Sequence, residues 1–169
     1  NTTLPQGTAA YSVRNLRLAA IAPVANGITS IGESAFGGCN SLKGIIIPDT
    51  VTSIGDSAFE KCAALENVVI GAGVENIGNS AFSDCTVLNN VEIPDSVTSI
   101  GVSAFQKCAA LENIVIGAAV ESIGDSAFSD CSALNKVTIP DNVTSIGASA
   151  FEKCSALAEV TIGKGVENI

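Results

Sequence analysis

The chain has no histidine, methionine or tryptophan and a single tyrosine. Without histidine it lacks the commonest general base and the commonest nitrogen ligand for metals. It is also poor in cations, with 8 Lys plus Arg against 17 acidic residues and a formal charge of −9. That balance opposes attraction to phosphate backbones and anionic headgroups, so nucleic acid and membrane surfaces are poor partners. No apolar run approaches the roughly 18 residues a spanning helix needs, which excludes membrane insertion by a helix. Neither an initiator Met nor a signal-peptide core opens the sequence, as expected of a soluble piece of a longer parent. What remains is a chain of 169 residues, 47% hydrophobic, with ample material for a packed core.

Six Phe residues fall at 36, 59, 82, 105, 128 and 151, always 23 apart. Cys39, Cys62, Cys85, Cys108, Cys131 and Cys154 keep the same period, as do Leu42, Leu65, Leu88, Leu111, Leu134 and Leu157. Fixed self-similarity of this length is the mark of a solenoid, in which each unit buries its apolar side against its neighbours. Pro48, Pro94 and Pro140 alternate with Gly71, Gly117 and Gly163, and residues 47–92 share 35 of 46 positions with 93–138, so a two-unit period overlies the first. Residues 31–169 are assigned to the array, and 1–30 to a degenerate N-terminal cap with Val13, Leu16, Ala19, Ala22, Val24 and Ile28 on the buried columns. Ile169 has nothing polar to cover the last coil, which again suggests truncation.

Within a unit, Ser57 followed by Glu60 reads as a capping box, and Phe59, Cys62 and Leu65 as the buried stripe of a helix of two to three turns. Val68, Val69 and Ile70 read as a strand with position 69 outward, ended by Gly71. Val74 and Ile77 point inward along a further extended stretch, and Gly78 relaxes the backbone. The expected fold is therefore α/β: a solenoid of six coils, strands on its concave face and short helices on its convex face, rising roughly 5 Å per coil.

The pattern around Ile54-Gly55, Ala58-Phe59, Cys62, Leu65 and Ile93-Pro94 resembles the BspA-like leucine-rich repeats. The resemblance covers 31–169 and implies a right-handed solenoid used for protein and surface recognition. It further implies an extracellular or cell-surface location, adhesion to host matrix proteins or cells, and binding rather than catalysis. No cofactor follows from it, and it transfers no particular ligand.

Among chemistry-bearing residues, the cysteines invite a disulfide framework. Their stacked Cβ atoms should lie about 5 Å apart, beyond the roughly 3.5–4.5 Å of a disulfide, so they are read as buried free thiols. Zinc lacks both a C-x-x-C pair and a histidine. Gly38, Lys61, Asp84, Lys107, Asp130 and Lys153 alternate in sign as a charge ladder worth about 0.2–1 kcal/mol per pair. Asp49, Asp95 and Asp141, like Glu75, Glu121 and Glu167, recur two coils apart, on the order of 10 Å, too far for one calcium ion; the aspartates are read as turn starters. Thr52, Thr98 and Thr144 do not make an ice-binding array, because those glutamates interrupt the column. With the Phe residues in the core only Tyr11 is left for stacking, and no Arg follows Arg17. The sequons at Asn1 and Asn142 carry no assigned function.

The candidate partner-binding surface is the outward column Ile46, Val69, Glu92, Val115, Thr138 and Thr161, whose variety contrasts with its uniform neighbours. Lys43, Asn67, Asn89, Asn90, Asn113, Asn135, Lys136 and Glu159 form its polar margin. The function expected is a non-enzymatic module docking a protein there, with a structural spacer as the alternative. A hydrolase built on Asp49, Glu75 and Asp95 would need a pocket-forming insertion, which no unit contains.

Overall fold

The structure is a computed structural model that describes residues 22–23 and 27–169. Apart from Ala22–Pro23 and the last residues, the expected N-terminal cap lies outside the described residues. Ile28, expected to be buried, is 38% exposed.

Among the described residues the chain forms a parallel β-solenoid with two sheets. The larger has seven strands, β1 (Ala22–Pro23), β3 (Gly44–Ile46), β5 (Asn67–Val69), β7 (Asn90–Glu92), β9 (Asn113–Val115), β11 (Lys136–Ile139) and β13 (Glu159–Ile162). The smaller has six two-residue strands, β2 (Ser30–Ile31), β4 (Ser53–Ile54), β6 (Asn76–Ile77), β8 (Ser99–Ile100), β10 (Ser122–Ile123) and β12 (Ser145–Ile146). Paired strand residues lie 23 positions apart, as in Ile45↔Val68 and Ile54↔Ile77. Counted from Ile31, the six coils are 31–53, 54–76, 77–99, 100–122, 123–145 and 146–168.

Like side chain stacks on like. The six Phe rings make one continuous column with centroids 5.1–5.4 Å apart and planes within 9° of parallel. Phe59, Phe82, Phe105 and Phe128 are fully buried, as are Leu65, Leu88, Leu111 and Leu134, and all belong to a single core. Phe36 and Phe151, in the first and last coils, are half-buried.

The expected convex helices are a correction: among the described residues there is no helix. Phe59, Cys62 and Leu65 step by three residues rather than 3.6, and the chain follows them with successive three-residue turns. The N–H groups of Glu60, Cys62 and Leu65 donate to the carbonyls of Ser57, Phe59 and Cys62 at 3.0, 3.2 and 3.0 Å. Ser57 and Lys61 have φ of 54° and 59°, in the left-handed region that a right-handed helix cannot include. The intervening donors leave the coil altogether, Phe59 N–H bonding Ala81 O at 2.7 Å and Lys61 N–H bonding Ser83 O at 2.8 Å. Backbone groups that a helix would satisfy internally thus tie one coil to the next. The capping-box pair survives only as a side-chain contact: the Glu60 carboxyl is held below its ordinary value by the Lys61 ammonium and then by the Ser57 hydroxyl.

At positions 71 and 78 glycine serves close approach rather than backbone relaxation. A Cβ on Gly78 would lie 2.6 Å from the carbonyl carbon of Gly55, and one on Gly71 would lie 2.5 Å from that of Pro48. Contacts below 3 Å leave no room for alanine unless the coils separate.

Candidate interaction surface

Alternation along the larger sheet sends Val68, Val91, Ile114 and Val137 into the core and the candidate column outward. All six candidates lie in one row across the sheet, one per strand from β3 to β13. Ile46 and Val69 are register partners and half-buried, whereas Glu92, Val115, Thr138 and Thr161 are exposed, Val115 at 58%. Beside the row, Asn113 Nδ2 donates to Asn90 Oδ1 at 3.1 Å, and Lys136 Nζ lies 2.8 Å from Glu159 Oε1. These bonds link four residues of the polar margin across neighbouring strands.

The aspartates read as turn starters do sit in turns, with the N–H groups of Val51, Val97 and Val143 donating to the carbonyls of Pro48, Pro94 and Pro140 at 3.1–3.2 Å, and they also accept backbone hydrogen bonds from the following coil. Asp49, Asp95 and Asp141 each take an N–H 23 residues on, from Ala72, Ala118 and Lys164, at 2.8, 2.8 and 2.9 Å. Asp56, Asn79 and Asp125 do the same for Asn79, Val102 and Ala148 at 2.8–2.9 Å. Thr52, Thr98 and Thr144 donate their hydroxyls backwards, to the carbonyls of Thr29, Glu75 and Glu121. Sequence reasoning missed these cross-coil staples: the recurrent Asx acceptors were visible, but their donors are ordinary backbone N–H groups. Among the described residues no group of His, Cys, Asp or Glu could hold a metal ion.

The six cysteines are free thiols. Cys85, Cys108 and Cys131 donate to the carbonyls of Phe59, Phe82 and Phe105 in the preceding coil at 3.2 Å, and Cys62 and Cys154 donate to Phe36 and Phe128 at 3.1 Å. Burial pushes Cys85 and Cys131 up to about 12 and Cys108 well above its ordinary value. Cys39 is exposed.

The expected charge ladder is mostly not a ladder. Lys107 reaches across coils to Asp84 at 3.8 Å, but Lys61 and Lys153 pair with Glu60 and Glu152 of their own coils at 2.9 and 3.7 Å. The column's common property is its backbone: Lys61, Asp84, Lys107, Asp130 and Lys153 have φ between 58° and 61°, and Gly38 has φ 71°.

A shallow groove of about 410 Å³ crosses the smaller sheet, bordered by Ser99, Ser122, Ser145 and Val102 over Gly101 and Gly124. Its one lining carboxylate, Asp125, already accepts the Ala148 N–H. Asp49, Glu75 and Asp95 do not line it.

The family pattern described as BspA type leucine rich repeat region matches residues 10–133 and 52–169, in six copies. Among solved structures, the chain is similar to the T. pallidum leucine rich repeat protein TpLRR, with 31% identity and a TM-score of 0.80, covering 83% of this chain and 68% of that one. A leucine rich cell surface protein of Faecalibacterium prausnitzii aligns at 31% identity and TM-score 0.59, covering 87% of this chain and 47% of that one. The pneumococcal vaccine antigen PcpA aligns at 25% identity and TM-score 0.72, covering 82% of this chain and 36% of that one. The chain thus spans about half or less of the latter two. No curated protein matches it. No helix among the described residues is long and apolar enough to cross a membrane.

Proposed function

The chain belongs to the BspA-type leucine-rich repeat family, and from that premise we propose that it is a non-enzymatic interaction module of the cell surface, adhesin-like, docking a protein on its seven-stranded sheet. The sheet face is taken as the concave one, and its partner as a host matrix or cell-surface protein. One observation carries the reading: the inward columns repeat nearly the same residue, while the outward row runs Ile, Val, Glu, Val, Thr, Thr and exposes Val115 at 58%. Inward positions answer to packing; the outward row is where a partner's side chains would be met. The leucine rich cell surface protein of F. prausnitzii supplies the surface setting by likeness. A charge of −9 favours partners with basic patches and association that weakens as salt rises.

The test is binding of the chain to immobilised matrix proteins and to host cells, with and without Val69→Lys and Val115→Lys. A docking face loses at least about tenfold in affinity with a desolvated lysine at its centre. Binding indifferent to both substitutions would refute the docking face and leave the alternative, a spacer that displays another domain.

A further inference from the structure

The strand face changes chemistry along its length. Between Lys43 at one end and Lys136, paired with Glu159, at the other, Glu66 and Glu112 on the rim directly before β5 and β9, and Glu92 in β7, are exposed, and these strands and the residues before them carry no cation. Salt bridges among the described residues involve neither Glu66 nor Glu112. Val69 and Val115 stand in the same row on either side of Glu92, and Glu92 is the register partner of Val115. Stacked rings in the core place these coils 5.1 and 5.2 Å apart, so Val69 and Val115 are separated by about 10 Å along the array. The surface therefore presents an apolar, anionic, apolar sequence at steps of about 5 Å, with further carboxylates on its rim.

That spacing selects a partner geometry. An α-helix rises 1.5 Å per residue, so side chains at i and i+7 lie about 10.5 Å apart with i+3 or i+4 halfway between. An extended strand places same-face side chains about 6.6 Å apart, so three in succession span about 13 Å and overshoot by about 3 Å. The helix matches within about half an ångström.

We propose that coils two to four of the strand face dock a cationic amphipathic helix of a protein partner. It lies along the array with apolar side chains at i and i+7 over Val69 and Val115 and a Lys or Arg at i+3 or i+4 over Glu92. Further cations reach Glu66 and Glu112 on the rim. This rests on the docking face proposed above and adds the partner's chemistry and direction.

The experiment uses fluorescein-labelled alanine-based helical peptides of about five turns, read by anisotropy with the full chain. One carries Leu at i and i+7 with Lys at i+3 and i+4; a second has the same composition with the second Leu at i+5; a third places the same Leu and Lys in a proline-interrupted, extended peptide. The in-phase helix is expected to bind at least about tenfold more tightly than the other two. Glu66→Gln with Glu112→Gln, which leave packing untouched, should weaken it about three- to tenfold at low salt and less at high salt. Val115→Lys should weaken it at least about tenfold, with native protection of Cys108 from a thiol reagent confirming that the variant is folded. Equal binding of the out-of-phase or extended peptide, no binding of the in-phase helix, or indifference to the glutamine variants overturns the proposal. If Val115→Lys nevertheless abolishes capture of matrix proteins or cells, only the helix is refuted. If it changes neither assay, the docking face falls as well.

Discussion

Removing one ring from the middle of the aromatic column tests the architecture more sharply than any surface change. Phe105 is fully buried and stacks on Phe82 at 5.2 Å and on Phe128 at 5.4 Å. Phe105→Ala should cost about 3–5 kcal/mol, since the cavity opens between two coils pinned by backbone bonds on both sides and cannot collapse easily. Phe151 is half-buried and has one ring neighbour, Phe128 at 5.4 Å, so Phe151→Ala should cost about half as much. The positions also differ in kind. In a quasi-one-dimensional array, stability is a sum of coil and nearest-neighbour terms. Phe105→Ala weakens two consecutive joints and divides the array into coils 31–99 and 123–168, whereas Phe151→Ala weakens one joint near an end. Urea unfolding of the full chain followed by far-UV circular dichroism should show a lower midpoint and a broadened transition for Phe105→Ala, and a smaller shift without broadening for Phe151→Ala. Equal costs for the two, or less than about 1 kcal/mol for Phe105→Ala, would refute stacking between coils as the source of stability.

Asp95→Ala should cost about 1 kcal/mol in urea unfolding by removing the acceptor of the Ala118 N–H, and Asp95→Asn should recover most of it, because the amide oxygen can still accept. Under native conditions Cys39 should react with a thiol reagent well ahead of the buried thiols, and urea should bring all six to the same rate. Unfolded thiols ionise near 9 while Cys85 and Cys131 hold their protons to about 12. Stability should therefore be insensitive to these groups below about pH 8 and fall between about pH 9 and 12, by about 1.4 kcal/mol per pH unit for each such thiol, as equilibrium unfolding across that range would record. Gly78→Ala should destabilise by about 1–3 kcal/mol, since its new methyl meets the Gly55 backbone, and a midpoint equal to wild type would show that the coils can part there.

Period, register and core were legible in the sequence because packing imposes them locally: a column that must stack on itself every 23 residues leaves Phe, Cys and Leu in view as fixed spacings. The convex side was misread because Phe59, Cys62 and Leu65 fit a helix stripe loosely and a run of three-residue turns closely. What decides between them is the left-handed backbone at Ser57 and Lys61, and neither residue type announces a positive φ. The staples were half legible. Asp49, Asp95 and Asp141 stood out as recurrent acceptors, but their donors are ordinary backbone N–H groups with no side-chain signature.

The outward row was legible from the alternation around Val68, Val69 and Ile70, but its exposure was not. Val69 and Val115 are the same residue in the same column, two coils apart, yet one is half-buried and the other 58% exposed. They differ in their neighbours: Val69 has Ile46 on one side and Glu92 on the other, while Val115 has Glu92 and the shorter, polar Thr138. On a sheet face the cross-strand neighbours decide how much of a side chain water reaches. The inward columns owe their uniformity to stacking like on like, and uniformity there carries no information about a ligand. For these two valines the larger neighbour goes with the lower exposure and the smaller with the higher, so their available apolar surface is a property of consecutive triplets and not of single positions. Ile46-Val69-Glu92 covers its central valine from one side; Glu92-Val115-Thr138 leaves its own open, which makes Val115 the most exposed apolar residue of the row.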